Sequence, residues 1–400
     1  MKSLLMCALV LNLSPFAFSA EQRWRLVTQG PEPDAGFAVA VELTAVSGKA
    51  FFAGWTPASG EELWMADSGG AGQLRELAQQ QISSMPRGLH ALNGGVIFRL
   101  ANLAGSGLWT SDGTPVGTVP LPCPAPQEGT QAAARSGFLY YHGNDGMWWL
   151  TDGTPAGTAT VPAMKPSPGW SLAAAGSPGI YYTVISAAET ELRLFDGVVD
   201  TLLHVFPAES GHPQTLVTAE AGAVMLMRHG ISEADYWRSG STPESTELLA
   251  SAANSQNQWL LSGGALAWFV THGEDGVADV WATDGTMTGT RRVLDGSFET
   301  WRPQPHIAAS ATGNRLLFFV ERGEEPGQHG RTSVWTTDGT AAGTRLLLDS
   351  EYDSEAIPLQ ITAGGGIMAF TRQGYNAAGP FAEVWRLSPG AATPQCRPVS

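Results

Sequence analysis

The sequence predicts an all-β protein, a β-propeller built from four-stranded antiparallel blades. Three observations support this. One motif returns eight times at a spacing of 40 to 54 residues, which is the period of propeller repeats. Apolar and aromatic runs that suit strands alternate with Gly-rich turns. Apart from the N-terminus, no segment shows a sustained helical apolar period. The clearest copies are Val-Trp-Ala-Thr-Asp-Gly-Thr-Met-Thr-Gly-Thr at 280–290 and Val-Trp-Thr-Thr-Asp-Gly-Thr-Ala-Ala-Gly-Thr at 334–344.

The first marker of the repeat is a tryptophan three residues before an Asp-Gly pair. Some copies have degenerated: Ser68 takes the glycine position in the first, and Arg193 takes the tryptophan position in another. We predict that Arg193 and the seven tryptophans occupy equivalent positions on third strands. The seven are Trp64, Trp109, Trp149, Trp237, Trp281, Trp335 and Trp385.

A second, independent marker gives the same count. A glycine followed by an apolar run precedes each marked position, as in Gly95-Val-Ile-Phe and Gly179-Ile-Tyr-Tyr. Two markers that both count eight predict eight blades, or seven if the unit around Arg193 is an insertion. The last unit lacks a fourth strand after Pro389, and 23–27 is a spare strand. We predict that this spare strand pairs with the Trp385 strand and closes the ring, since closure removes exposed sheet edges.

The pattern resembles that of a bacterial repeat family, the ELWxxDGT-repeat proteins. Glu62-Leu63-Trp64 carries the start of the family consensus, and Asp279-Val280-Trp281 is a variant of it. The resemblance extends over about 22–390. It implies a secreted or surface-attached protein, and it implies no reaction.

The N-terminus has the features of a secretory signal peptide. Lys2 precedes the apolar run 4–13, and small residues near Ala20 offer a cleavage site. We predict a signal peptide over 1–20, one propeller domain over 21–390 and a tail over 391–400. The protein is then secreted, periplasmic or on the cell surface. The apolar run is too short to span a membrane.

Composition excludes some classes of partner. The net charge is −15, and it becomes −16 after the signal peptide because that segment holds one cation and no acid. Nucleic acids and anionic membranes need clustered Lys or Arg, so neither is expected. Two cysteines, Cys123 and Cys396, remain after cleavage. Export to an oxidising compartment favours a disulfide between them, while two separate thiols are the alternative.

The Asp-Gly-Thr turns are interpreted as structural parts, because a turn repeated in many blades serves the scaffold. Their carboxylates are expected to accept hydrogen bonds from amides of their own hairpins. These aspartates are Asp112, Asp152, Asp284 and Asp338.

The loops between second and third strands vary, and they are the candidates for ligand binding. In a propeller they lie at one face together with the connections between blades. Their His, Asp and Glu side chains are also of metal-ligand type, and calcium is kept as a candidate ion. The candidate ligand-binding residues are His142, Asp145, His272, Glu274, Asp275 and His329.

Sequence motifs of hydrolases, metalloproteases and nucleotide-binding proteins are absent. The sequence therefore predicts a monomeric binding or scaffold module for a protein or glycan partner. The alternative is a hydrolase or lyase that acts on polysaccharide from the loop face. An enzyme should bring several acids and an Arg or His together in one deep pocket.

Overall fold

The fold is known from a computed structural model. It describes residues 7–10, 25–28, 41–47, 49–56, 59–67, 70–78, 83–102, 107–229, 233–252, 260–272, 278–294, 307–310, 315–322, 331–351, 357–364, 367–376 and 379–387. The chain forms two compact units, Met1–Pro166 and Ser167–Ser400, which are described separately. That 21–390 forms a single domain stays a prediction.

The first unit contains a hairpin and three four-stranded sheets. The hairpin consists of β1 (Cys7–Val10) and β2 (Arg25–Thr28). Sheet 1 consists of β3 (Val41–Val46), β4 (Lys49–Thr56), β5 (Gly60–Asp67) and β6 (Gly70–Gln73). Sheet 2 consists of β7 (Pro86–Leu92), β8 (Gly95–Leu100), β9 (Leu108–Ser111) and β10 (Val119–Pro120). Sheet 3 consists of β11 (Ala133–Arg135), β12 (Phe138–His142), β13 (Trp148–Thr151) and β14 (Ala159–Thr160).

The second unit contains four four-stranded sheets and one of three strands. Sheet 4 consists of β15 (Ala173–Ala175), β16 (Ile180–Ile185), β17 (Glu189–Phe195) and β18 (Asp200–Pro207). Sheet 5 consists of β19 (His212–Ala219), β20 (Gly222–His229), β21 (Glu233–Ser239) and β22 (Glu247–Ala252). Sheet 6 consists of β23 (Leu260–Ser262), β24 (Ala267–His272), β25 (Ala278–Thr283) and β26 (Arg291–Leu294). Sheet 7 consists of β27 (Ile307–Ser310), β28 (Arg315–Arg322), β29 (Arg331–Thr337) and β30 (Arg345–Glu351). Sheet 8 consists of β31 (Ile357–Gly364), β32 (Ile367–Asn376) and β33 (Gly379–Leu387).

The predicted all-β class is confirmed. Every sheet is an antiparallel meander in chain order, and seven sheets of the described chain have four strands. The helices in the described residues are two 3₁₀ turns, Ala208–Ser210 and Pro243–Ser245. None of the described helices is long and apolar enough to cross a membrane.

First strands of consecutive sheets contact each other between sheets 1 and 2 and throughout the second unit. In the first unit β3 contacts β7, and in the second unit β15, β19, β23, β27 and β31 contact one another in that order. Contact between successive four-stranded antiparallel sheets through their first strands is a feature of propeller blades.

The register places the eight marked residues at one equivalent position. Each lies on a third strand, opposite an aromatic residue or a methionine of the second strand. The pairs are Trp64–Phe52, Trp109–Phe98, Trp149–Tyr141, Arg193–Tyr182, Trp237–Met225, Trp281–Phe269, Trp335–Phe318 and Trp385–Phe370. In sheets 4 to 7 a β-bulge against the fourth strand immediately precedes the marked residue. Arg193 therefore belongs to a repeat unit with a full sheet of its own.

The core lies between neighbouring sheets, where the marked tryptophans pack. The ring of Trp237 on sheet 5 meets Phe206 of sheet 4 edge to face, with centroids 5.2 Å apart. Within sheet 6, Trp281 stacks on Phe269 at 6.0 Å with an interplanar angle of 3°, and it also packs against a buried cluster that sheets 5 and 6 share. These two tryptophans are partly buried against the clusters, and the apolar area that they remove from water stabilises the packing of neighbouring sheets.

The N-terminal strand has a different partner from the predicted one. β2 pairs with β1, with Cys7 opposite Thr28 and Val10 opposite Arg25, rather than with the strand of Trp385. The two segments are close in sequence, so that joining them costs little loop-closure entropy. β1 itself lies within the segment that the sequence predicts to be a signal peptide.

Candidate functional site

The meander gives each four-stranded sheet two different ends. The turns from first to second and from third to fourth strand lie at one end, here called the turn end. The loops from second to third strand and the connections between sheets lie at the other, here called the loop end. Residues at the two ends differ in the role that their side chains play.

At the turn end, the Asp-Gly-Thr turns share one set of hydrogen bonds. Oδ1 of Asp112 accepts from the backbone N of Thr114 at 2.8 Å and from its Oγ1 at 2.7 Å. Asp152 and Asp284 repeat these distances with Thr154 and Thr286, and Asp338 accepts from Thr340 at 3.0 and 2.7 Å. The aspartates thus stabilise their own hairpins, as the sequence predicts for these turns.

Backbone carbonyls of the same turns also join one sheet to the sheet before it. Asn93 Nδ2 of sheet 2 donates to the carbonyl of Asp152 at 2.9 Å. The backbone N of Ala221 in sheet 5 donates to the carbonyl of Asp284 at 2.8 Å. Lys49 and Arg291 make corresponding contacts with the carbonyls of Asp112 and Gly339. Hydrogen bonds at the turn end therefore connect neighbouring sheets.

A pocket opens at the loop end between sheets 2 and 3. It holds about 480 Å³ of empty space, including its open mouth. Its deep end is formed by Leu108 and Leu139, which are nearly fully buried. Its polar wall consists of Arg87, His90, Arg99, Gln127, Glu128 and Thr130. The pocket is therefore apolar at its base and charged at its mouth.

A β-bulge places two arginines beside each other in the wall. The register between β7 and β8 shifts between Arg87 and His90, at Gly88, whose φ is +63°. Glycine adopts this left-handed conformation without a steric cost. As a result Arg87 lies directly opposite Arg99 across the strand pair. Bulges of this kind re-aim side chains, and they are frequent next to functional sites.

The two arginines differ in their partners. Arg87 forms an ion pair with Glu61, and its Nη1 also donates to the carbonyl of Pro86 at 2.8 Å. The guanidinium of Arg99 makes no hydrogen bond or ion pair with any residue that the structure describes. Like charges directly opposite in a strand pair repel each other. Among the described residues, the protein thus supplies an ion-pair partner for the side chain of Arg87 and none for that of Arg99.

The loop that the sequence selects in sheet 3 supports the rim of this pocket through its backbone. Gln127 N donates to the carbonyl of His142 at 3.0 Å, and Asn144 N donates to the carbonyl of Ala125 at 3.0 Å. Pro126 and Gly143 form an isolated β-bridge. The rim segment is therefore fixed, with Glu128 exposed upon it.

The predicted ligand-binding side chains have other positions or lie beyond the described residues. His142 is fully buried and meets Trp148 edge to face at 5.5 Å, and its role in ligand binding stays a prediction. It ends β12 on a packed face of the sheet. Asp145 is exposed, but its carboxylate accepts from Trp149 Nε1 at 3.1 Å and Met147 N at 3.1 Å, which orders the loop. His272 is the last residue of β24.

Three predicted ligand-binding residues lie outside the described part of the chain: Glu274, Asp275 and His329. Within the described ranges, no three or more His, Cys, Asp or Glu residues are grouped so that they could hold a metal ion. Cys123 forms no disulfide with any residue that the structure describes, and burial raises the pKa of its thiol. Cys396 lies beyond the described residues, so its pairing with Cys123 stays a prediction.

Comparison with solved structures supports the fold. No family model matches the chain, and no curated protein sequence matches it. Among solved structures, the computationally designed Ika8 protein is 14% identical with a TM-score of 0.52, over 88% of this chain and 97% of that one. The WD40 domain of SCAP from fission yeast is 11% identical with a TM-score of 0.42, over 86% and 94%. The β-propeller domain of the Trilobed protease from Pyrococcus furiosus is 8% identical with a TM-score of 0.37, over 67% and 81%.

Proposed function

We propose that the protein is a secreted, eight-bladed β-propeller that binds a protein or glycan partner at its loop end. The repeated sheet topology and the contacts between successive first strands support the propeller. The resemblance to ELWxxDGT-repeat proteins and the N-terminal apolar run support export. The residues that line the pocket between sheets 2 and 3 indicate which kind of partner would bind there.

One observation carries the binding role: the two ends of the sheets differ in chemistry. At the turn end, the same Asp-Thr hydrogen bonds recur in four sheets and their carbonyls join neighbours. At the loop end, the loops differ between sheets, and a pocket opens between two of them in which the side chain of Arg99 has no partner among the described residues. A fixed scaffold with varied loops at one end is how recognition modules keep their fold and change their ligand.

Binding is favoured over polysaccharide cleavage by the composition of the pocket. Glycoside hydrolysis requires a pair of carboxylates across the scissile bond. Among the described residues that line the pocket, Glu128 is the single carboxylate. Glu61, close by, is engaged in its ion pair with Arg87.

The binding role is tested with glycan and peptide arrays on the mature protein, with and without calcium. The variants are Glu128→Arg at the loop end and Glu244→Arg, an exposed glutamate in the third-to-fourth strand turn of sheet 5. We expect E128R to change the set of bound probes and E244R to leave it unchanged. Equal effects of both variants would count against a loop-end site. Cleavage of a glycan by purified protein, lost on one carboxylate substitution, would establish the alternative of a hydrolase or lyase.

Ring closure is a separate part of the proposal. Removal of 1–20 takes away β1, which leaves β2 without its partner. Sheet 8 has three strands in the described chain. We propose that β2 then becomes its fourth strand, next to β33.

Mature protein should begin at Ala20 or Glu21 on N-terminal sequencing. Deletion of 21–28 from it should lower the unfolding free energy by several kcal/mol, about the cost of losing a strand and opening an edge. An unchanged melting temperature would reject closure by this strand.

A further inference from the structure

The pocket between sheets 2 and 3 has the features of a site for a single anionic group. We propose that it binds the C-terminal carboxylate of a peptide whose last side chain is apolar. This deepens the proposed function, because it names the ligand class of the loop-end site and therefore rests on that site being a binding site.

The charge arrangement selects a monoanion. Arg99 and Arg87 lie opposite each other, and Glu61 offsets only Arg87. A carboxylate between Arg99 and the solvent would relieve the cross-strand repulsion and gain a charge-assisted, two-pronged hydrogen bond from the guanidinium. The bond is stronger here than in open water, because Leu108 and Leu139 lower the local dielectric constant.

The base of the pocket selects an apolar side chain beside that carboxylate. Leu108 and Leu139 belong to a buried cluster and present the pocket's deep end. No Trp, Tyr or Phe is among the residues of the described chain that line the pocket, so that these residues offer no flat aromatic face on which the C–H groups of a sugar ring could stack. A short aliphatic side chain next to a carboxylate, as at a peptide C-terminus, fits both surfaces.

Glu128 and the charge of the whole chain argue against a polyanion. Glu128 is exposed at the rim of the pocket, where it repels any second negative charge on the ligand. The net charge of −15 opposes the approach of a polymer of acidic sugars. The same carboxylate can accept hydrogen bonds from the backbone amides of a peptide that leaves the pocket.

The test is calorimetric titration of the mature protein with acetyl-Gly-Gly-Leu carrying a free carboxylate. The comparison ligands are the same peptide as its C-terminal amide and a short oligomer of acidic sugar. We expect the free acid to bind at least about tenfold more tightly than the amide, the expected effect of one charge-assisted hydrogen bond.

Three variants make the test specific. Arg99→Gln should weaken binding of the free acid about tenfold or more and leave binding of the amide unchanged. Glu61→Gln frees Arg87 from its ion pair and should tighten binding of the free acid. Arg292→Gln removes an exposed arginine from sheet 6 and is the matched control, expected to change neither. Because R99Q removes a like-charge pair, its melting temperature should be no lower than that of the parent protein.

The outcomes separate this inference from the proposed function. Equal binding of acid and amide, or of parent and R99Q, overturns the carboxylate site. Binding of the acidic-sugar oligomer in place of the peptide assigns the site to a glycan and also overturns it. If no peptide binds but array ligands are still lost in E128R, the loop-end binding function stands and the carboxylate site is rejected. If the arrays also fail, both proposals fail.

Discussion

The side-chain amide of Asn93, in the first hairpin of sheet 2, donates a hydrogen bond to the backbone carbonyl of Asp152, in the last hairpin of sheet 3. The N···O distance is 2.9 Å, and the same amide donates to the carbonyl of Gly137 at 2.8 Å. One side chain therefore joins both turns of the next sheet. Asp152 therefore stabilises the structure in two ways. Its carboxylate accepts hydrogen bonds within its own turn, and its backbone carbonyl accepts a hydrogen bond from the neighbouring sheet.

We predict that Asn93→Gly lowers the unfolding free energy by about 1–2 kcal/mol through loss of these two bonds. Asn93 has a φ of +47°, so Asn93→Ala should cost more than N93G, because alanine is strained there and glycine is not. Urea denaturation of the parent and both variants measures the two contributions. If N93G is as stable as the parent protein, the contact between the sheets carries no stability.

Arg193 leads to a second prediction, because it replaces the tryptophan of the repeat with a buried ion cluster. Its Nη1 lies 2.6 Å from Glu191 and its Nη2 lies 2.9 Å from Asp200, with all three side chains at most 14% exposed. Burial alone would lower the pKa of Arg193, but hydrogen bonds to Asp200 and Glu191 raise it, and the guanidinium stays charged. The cluster therefore compensates its own desolvation.

Arg193→Met should cost about 3–5 kcal/mol, because it leaves two carboxylates buried without a cation. The control is the triple variant E191Q/R193M/D200N, which removes every charge and should recover most of the lost stability. Denaturation at pH 7 compares the three proteins. A loss below about 1 kcal/mol for R193M would show that the carboxylates find other partners.

The sequence predicts the scaffold well because the scaffold repeats. The even spacing of the repeats predicts that Arg193 and the seven tryptophans occupy equivalent positions on third strands. The strand register confirms this also for Arg193, which replaces the tryptophan. The turn carboxylates follow from the same argument, because a residue needed in four hairpins must serve the hairpin.

The pocket could not be predicted from the sequence in the same way, because it depends on a departure from the repeat. Counting back from the hairpin turn at Asn93 places Arg87 opposite Leu100. The bulge at Gly88 moves it opposite Arg99 and creates the charged wall. The clue in the sequence is a pair of arginines flanking a hairpin in a chain with only 22 Lys and Arg. The burial of His142 could not be predicted either, because loop composition does not reveal which face of β12 is packed.

A third prediction concerns the turn of sheet 6. Asp284→Ala should lower the unfolding free energy by about 1–2 kcal/mol, because the amide and hydroxyl of Thr286 lose their acceptor. Asp284→Asn is the matched control, since its amide oxygen can still accept and its loss should be smaller. Binding of array ligands should be unchanged in both. A change in binding by D284A without a change in stability would place function at the turn end.

The turn of sheet 2 gives a prediction about pH. Hydrogen bonds from the hydroxyl of Thr114, and then from its backbone amide, hold the pKa of Asp112 below its ordinary value of 3.8. A lowered carboxyl pKa contributes stability above the ordinary value, and this contribution is lost as the pH falls through the lowered one. Asp112→Asn lacks this contribution. We therefore expect the parent to exceed D112N in stability at pH 6, and the difference to fade below about pH 3.8. A difference that stays constant down to pH 2 would contradict the role of the charge.

Glu62, the glutamate of the Glu-Leu-Trp copy, leads to the opposite pH dependence. Its side chain is fully buried. Oε2 accepts from Leu77 N at 3.0 Å and Ser84 Oγ at 2.7 Å, while Oε1 has no partner among the described residues. Burial is the dominant influence and raises the pKa of Glu62 above 4.5, although hydrogen bonds from Ser84 and Leu77 oppose it. The folded state therefore holds this proton more tightly than the unfolded state.

A raised carboxyl pKa makes the folded protein lose stability as the pH rises from 4.5 through the raised value. Glu62→Gln keeps an acceptor for Leu77 and Ser84 and removes the charge. We expect E62Q to match the parent near pH 4 and to exceed it by roughly 1–3 kcal/mol at pH 8, the cost of a buried group without full hydrogen bonding. The control is Glu76→Gln. Glu76 is exposed in the connection from β6 to β7, which also holds Leu77 and Ser84, and we expect the difference in stability between E76Q and the parent to stay the same across this pH range. Urea denaturation across this pH range measures all three proteins. If the parent instead gains stability over E62Q as the pH rises, Glu62 is ionised and paired in the folded protein, and the motif's glutamate is an ion-pair residue.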